Sequence, residues 1–298
     1  MITTILLILP DFALILLGLL LAWRFGYERG FWNGAEKLVY YVLFPGLLFT
    51  SINAAQFTLG GEAKALGVAV AAFLCAVALG FVARLARPPA DVYASCVQTA
   101  FRYNSYVGLA LAQSLLGARG VALLALILAV CVPLANVFAV YALARHRKTG
   151  LARELVTNPL IVSTVAGLAS NLLGWKLPAL AAGFLAKLGN ASLALGLMCI
   201  GAGLTLAGVH AHRGLIAYFS VVKLAVFPLL ALVFAKLIGL GSLETQLVVL
   251  FAALPTASTT YVLAARLGGN APPVAATVTA QTLVSMATMP FWILLAAR

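Results

Sequence analysis

Charge is scarce in this chain. Asp, Glu, Lys and Arg make up 9% of its 298 residues, and only seven residues are acidic. So few carboxylates leave no acid pair for general acid–base chemistry. Histidine is nearly absent too: His146, His210 and His212 all fall in expected loops, so no Ser/His couple lies inside a span. His210-x-His212 has no carboxylate or cysteine nearby, and no metal site is expected. The four cysteines, Cys75, Cys96, Cys131 and Cys199, stand singly and form no C-x-x-C pair, which excludes a disulfide framework and a zinc site. No phosphate-binding G-x-x-x-x-G-K-[ST] motif is present, so self-contained ATP-driven transport is excluded. An intramembrane enzyme lacks its chemistry here, and no cofactor is expected.

What the chain has instead is apolar length. It is 64% hydrophobic with a mean hydropathy of +1.09, more than any soluble domain of this size needs. The length accommodates ten spans of roughly 20 residues with short connections, leaving nothing for a soluble domain. The expected spans are 2–23, 38–55, 65–83, 92–116, 121–144, 158–173, 188–206, 214–235, 245–265 and 271–295. The N-terminal MITTILLILPD has no basic region and no small-residue cleavage site, so it reads as the first span rather than a removable signal.

The net charge of +12 fits topology better than a nucleic-acid partner. Loops after odd-numbered spans hold eleven basic residues, with the densest group at Arg145-His146-Arg147-Lys148; loops after even-numbered spans and the C-terminal end hold six. Basic residues collect on the cytoplasmic side. Both termini are therefore expected outside the cytoplasm, in a cell inner (plasma) membrane protein.

Two spans carry polar residues that a plain transmembrane helix would avoid. One holds FRYNSYVGLALAQSLLG from Phe101, the other LPTASTTYVLAARLGG from Leu254, 152 residues apart where their tails align. Pro10 and Gly18 recur as Pro159 and Gly167 at an offset of 149, and Lys37-Leu38 recurs as Lys187-Leu188 at an offset of 150. Three nearly equal offsets imply two five-span repeats, residues 1–144 and 158–298, joined by a cytoplasmic linker at 145–157 within one transmembrane domain. Five is odd, so the second repeat is inverted. Matching polar, breakable segments in two inverted halves point to a transport site.

The chemistry of those segments supports an anion site. Pro255 has no N–H and its ring clashes with the carbonyl four residues earlier. The hydroxyls of Thr256, Ser258, Thr259 and Thr260 can serve backbone groups that a broken helix frees. The first break is expected between Asn104, which offers an amide, and Gly108, which permits close backbone approach. Two broken helices that cross aim half-helix N-termini at the crossing, a setting suited to an anion. Arg102 costs about 2.5–3.5 kcal/mol inside a span and must meet water, a partner or a ligand. Lys223 is the second cation inside a span. Asp11, read as the one acidic residue well inside a span, carries a coupling proton, pairs with Arg102 or Lys223, or sits near the outer interface if the first span starts late. Thr50, Ser51, Ser105, Asn136 and Gln281 complete the set of expected substrate ligands, with Asp11 and Lys223 as coupling residues.

These residues resemble the auxin efflux carrier family, in its bacterial permease branch. The likeness rests on LPDFALILLG, FPGLLFTSI, FRYNSYVGL, NPLIVSTVAGL, LMCIGAGL and LPTASTTYVLAARLGGN, spread along nearly the whole chain. The resemblance implies an all-α fold of ten transmembrane helices in two inverted repeats, related to bile-acid symporters and sodium/proton antiporters. It also implies a scaffold region moving against a transport region, with the site where broken spans 4 and 9 cross. Asn104 matches the family's polar residue at the first break and Pro255 its crossover proline. Two positions depart from the pattern: Ala110 stands where the family has a proline, leaving Gly108 alone to soften the helix, and Asp11 stands where it is apolar. The plant exporters' long central loop is missing, which favours a compact prokaryotic permease over an auxin carrier. The expectation is a secondary carrier of a small carboxylate or dicarboxylate working by alternating access, with proton or sodium as coupling ion and a second copy of the chain as a candidate partner. The alternative is a cation/proton antiporter on the same fold, for which Asp11 is the available acid.

Overall fold

The computed structural model describes residues 2–54, 61–143, 159–204, 212–257 and 259–297. Every secondary-structure element among them is helical. Among the described residues, six helical runs are long and apolar enough to cross a membrane: Arg29–Asn53, Gly61–Ala86, Ala90–Leu143, Ala179–Ala202, Arg213–Ile238 and Ala271–Ala296. Together with the composition they define an all-helical, multi-pass membrane protein. Ser258, His210, the basic group 145–148 and the linker 145–157 lie outside the described residues.

The chain divides into two compact units, and each draws on both halves of the sequence. The first comprises Met1–Thr58, Tyr106–Ala129 and Ala152–Gly203. It holds α1 (Ile2–Arg24), α2 (Arg29–Leu38), a π turn (Val39–Leu43), α3 (Phe44–Asn53), α7 (Pro159–Leu172) and α8 (Ala179–Ala202), with part of α6 (Ser105–Leu143). α1 packs on α8, and α3 packs on α7 and α8. Membrane helices associate through small residues that let backbones approach. A Cβ on Gly18 would overlap the Met198 carbonyl, and one on Gly201 would overlap that of Ile15. On α7, a Cβ at Gly167 would come within 3.1 Å of the Phe49 carbonyl on α3. The ends of α3 and α7 exchange asparagines. Asn53 Nδ2 donates to Ser170 Oγ at 2.7 Å and to the Trp175 carbonyl at 2.8 Å, while Asn171 Nδ2 donates to the carbonyls of Ile52 at 3.1 Å and Asn53 at 2.9 Å. The last carbonyls of a helix have no donor within it, and these amides supply one.

The second unit comprises Leu59–Ser105, Val130–Leu151 and Leu204–Arg298. It holds α4 (Gly61–Val82), α5 (Ala90–Cys96), α9 (Arg213–Val221), α10 (Phe227–Ile238), α11 (Ser242–Ala253), α12 (Thr259–Arg266), α13 (Ala271–Ala296) and the remainder of α6. α11 packs on α4, α10 and α13, and α12 packs on α13. A π turn at Val222–Val226 links α9 to α10. Pro228 has no N–H to offer the Leu224 carbonyl four residues back, and the Trp292 indole N–H takes that acceptor at 2.8 Å.

Local structure departs from the sequence reading in three places. The second span's helical run starts at Arg29, not Leu38, which makes Glu36, like Asp11, an acidic residue within a helical run. α6 runs through two expected spans, and Gly117, at φ 63 and ψ −158, separates its two segments. The interruption of the polar span lies at residues 101–104, and Gly108 is helical and buried. The break therefore sits one turn before the expected 104–108.

Candidate functional site

Two interruptions meet inside the second unit. In the first, α5 tightens into a 3₁₀ turn, Val97–Ala100, and the chain leaves helical geometry at Phe101 before α6 begins at Ser105. In the second, α11 stops at Ala253 because Leu254 precedes a proline. Contact with the proline ring pushes such a residue out of the α region, and Leu254 has φ −56 and ψ 136. α12 resumes at Thr259. The Asn104 N–H donates to the Pro255 carbonyl at 2.7 Å, so the interruptions touch through their main chains across 151 positions of sequence.

Side chains complete the junction. Thr256 Oγ1 donates to the carbonyls of Thr99 at 2.9 Å and Arg102 at 3.2 Å. Gln281, fully buried on α13, accepts from the Thr256 N–H at 3.3 Å and donates to the Thr99 carbonyl at 3.2 Å. Its amide thus ties both interruptions to a third helix. Gln98 Nε2 donates to the carbonyls of Ser95 at 3.0 Å and Thr260 at 3.4 Å, and its oxygen accepts from Arg102 Nη1 at 3.3 Å. In an apolar medium each unserved backbone group would cost several kcal/mol, so this network lets two broken helices stand inside a membrane.

Lys223, in the π turn between α9 and α10, is completely buried, and its side chain reaches the C-terminal end of α11. Its Nζ donates to the Ala252 carbonyl at 3.0 Å and lies 4.3 Å from the centroid of the Phe227 ring. A cation there meets the partial negative end of the half-helix and the negative face of a ring.

Of the residues expected at the site, Arg102, Asn104, Pro255, Thr256 and Gln281 come together at this junction. Asn104 is buried at 3% exposure, whereas Arg102 and Ser105 are half-buried. Asn136 is half-buried on α6. Thr50, Ser51, Gly108 and Asp11 belong to the first unit. Thr50 Oγ1 donates back to the Gly46 carbonyl at 2.9 Å, Ser51 is buried, and Asp11 accepts from Ser114 Oγ at 3.0 Å. Sequence reasoning missed Gln98 and Thr99. They precede the Phe101 segment, and their partners lie about 160 or more residues further along the chain. Among the described residues no group of His, Cys, Asp and Glu is arranged to hold a metal ion.

The description "Membrane transport protein" belongs to the family model that matches residues 3–293. The chain therefore belongs to that family, the one its auxin efflux carrier motifs resemble, and is a transporter rather than an enzyme. Among curated proteins it is similar to a Rhizobium meliloti (strain 1021) protein described as "Putative malonate transporter", 27% identical over 95% of this chain and 92% of that protein.

Proposed function

We propose that this protein is a secondary carrier of small organic anions, dicarboxylates of malonate size foremost, working by alternating access. The observation that carries the reading is the junction of two interrupted helices. Past each interruption a new helix starts, at Ser105 and at Thr259, with its N-terminal N–H groups and partial positive charge beside the break. Arg102 adds a full positive charge within the first break. Asn104, Ser105 and Asn136 are proposed ligands in the second unit, Thr50, Ser51 and Gly108 in the first, with Ser258 proposed from sequence alone, and Lys223 and Asp11 are the groups through which an ion is coupled. Similarity to the Rhizobium protein described as "Putative malonate transporter" supports the choice of dicarboxylate.

In this reading the architecture is ten spans in two inverted repeats. Support comes from the first unit, where Gly18 on α1 packs on α8 and Gly167 on α7 packs on α3. These glycines correspond in the two repeats, and each lies against the second span of the other repeat, as a two-fold relation requires. The second unit, with both interruptions, is the proposed transport region and the first its scaffold. The membrane is proposed to be the inner membrane, with both termini outside the cytoplasm. Thermal-shift measurements on purified protein, against mono- and dicarboxylates at two pH values, test the function. Dicarboxylates should raise the melting temperature more than monocarboxylates of equal length. Stabilisation by alkali cations alone would favour the cation-antiporter alternative.

A further inference from the structure

The hydroxyl of Thr256 and the amides of Gln281 and Gln98 are all engaged with the main chain of the two interruptions. The buried hydroxyls of Tyr103 and Thr260 are not. Tyr103 lies within the first interruption and is 5% exposed; Thr260 lies in the first turn of α12 and is completely buried. Neither hydroxyl has a hydrogen-bond partner. The Tyr103 ring is held edge-on against Phe251, with centroids 4.7 Å apart, so its body is packed while its polar tip is unserved. Thr260 is fixed through its main chain, whose N–H donates to the Ala257 carbonyl at 3.1 Å and whose carbonyl accepts from Gln98.

A buried hydroxyl without a partner is destabilising, and native proteins rarely keep one unless it serves something else. Here two flank the same junction, Tyr103 just before the start of α6 and Thr260 in the first turn of α12, each beside the partial positive end of a helix. We infer that the hydroxyls of Tyr103 and Thr260 are substrate ligands, donating to carboxylate oxygens of the anion, whereas Thr256 and Gln281 position the breaks and do not touch it. A carboxylate only accepts hydrogen bonds, and a hydroxyl donating to a charged acceptor makes a stronger bond than to a neutral one. This assignment rests on the carrier reading above and specifies the ligands of that same site.

The test uses purified full-length protein, its Thr260→Val, Thr260→Ser and Tyr103→Phe variants, and malonate as the probe. Val and Phe keep the shape and remove only the hydroxyl. Melting temperatures without ligand should be unchanged or higher in Thr260→Val and Tyr103→Phe, because an unserved group has been taken away. Malonate affinity should fall about 10- to 100-fold in each, the loss expected for a hydrogen bond to a charged group. Thr260→Ser should retain wild-type affinity. A melting temperature several degrees lower in both isosteric variants shows that the hydroxyls are structural and overturns the inference, as does unchanged affinity in both. If the wild type responds to no dicarboxylate, the carrier reading fails and this assignment with it; if it responds and both variants respond equally, only this assignment fails.

Discussion

The Asn104 N–H and the Pro255 carbonyl form a 2.7 Å hydrogen bond between two interrupted helices. Its existence depends on both residues being outside regular helix. Inside one, the Asn104 N–H would belong to the carbonyl of residue 100 and the Pro255 carbonyl to the N–H of residue 259. The bond therefore records what the two breaks accomplish together: each serves backbone groups that the other frees.

Replacing Pro255 tests whether the second break is needed for turnover. Pro255→Ala restores an N–H and relieves Leu254 of its extended geometry, so α11 can extend toward α12. The expected result is a substantially lower maximal uptake rate with substrate affinity less affected, measured as initial rates in proteoliposomes over a range of malonate concentrations. A variant with wild-type rates would show that the proline is dispensable.

Gln281 must both accept and donate. Gln281→Glu keeps the acceptor for Thr256, but it can donate to Thr99 only when protonated. The charged form lacks that donor and would stand buried among main-chain carbonyls. Relative to wild type, the variant should therefore be most stable at acid pH, where the side chain is protonated, and should lose stability as pH rises. Melting curves of both proteins across about pH 4 to 8 give the difference. A difference independent of pH would mean that Gln281 does not bridge the breaks as described.

Arg102 is half-buried at the first break, with one guanidinium nitrogen on Gln98. If its charge sets anion preference, Arg102→Gln should weaken a dianion more than a monoanion. The Coulomb contribution scales with ligand charge, so the loss in kcal/mol should be about twofold larger for the dianion. Calorimetric titration with malonate and acetate measures both. Equal losses would reassign Arg102 to structure.

The basic-residue bias predicts an extracytoplasmic C-terminus. Alkaline phosphatase fused after Arg298 should be active, and a fluorescent protein fused there should stay dark in an export pathway that blocks its folding. The reverse pattern would remove the ten-span inverted topology.

Much of this was legible in the residues. Pro255 announces a helix end because its chemistry is local: a missing N–H and a ring clash act on adjacent turns. Composition alone gave the helical membrane class. The first break was harder to place, since Gly108 is permissive rather than disruptive and stays helical. What ends the helix at Ala100 is the set of groups waiting for it, Thr256 and Gln281, which lie 156 and 181 residues later in the chain. Glu36 was hidden for a different reason. A charge two turns into an amphipathic start reads as loop, yet α2 is continuous through the π turn into α3. The pairing of Lys223 with Ala252 is likewise invisible in sequence, because a main-chain carbonyl has no signature.

The most direct test of the junction as transport site is uptake of radiolabelled malonate into proteoliposomes by wild type and Asn104→Ala. The substitution removes the side-chain amide and keeps the main-chain N–H on Pro255, so both breaks persist. Wild type should take up malonate, and the variant should fold normally while its apparent affinity falls about 5- to 150-fold, the equivalent of about 1–3 kcal/mol for a lost buried hydrogen bond. Uptake by Asn104→Ala with wild-type affinity and rate would contradict the account.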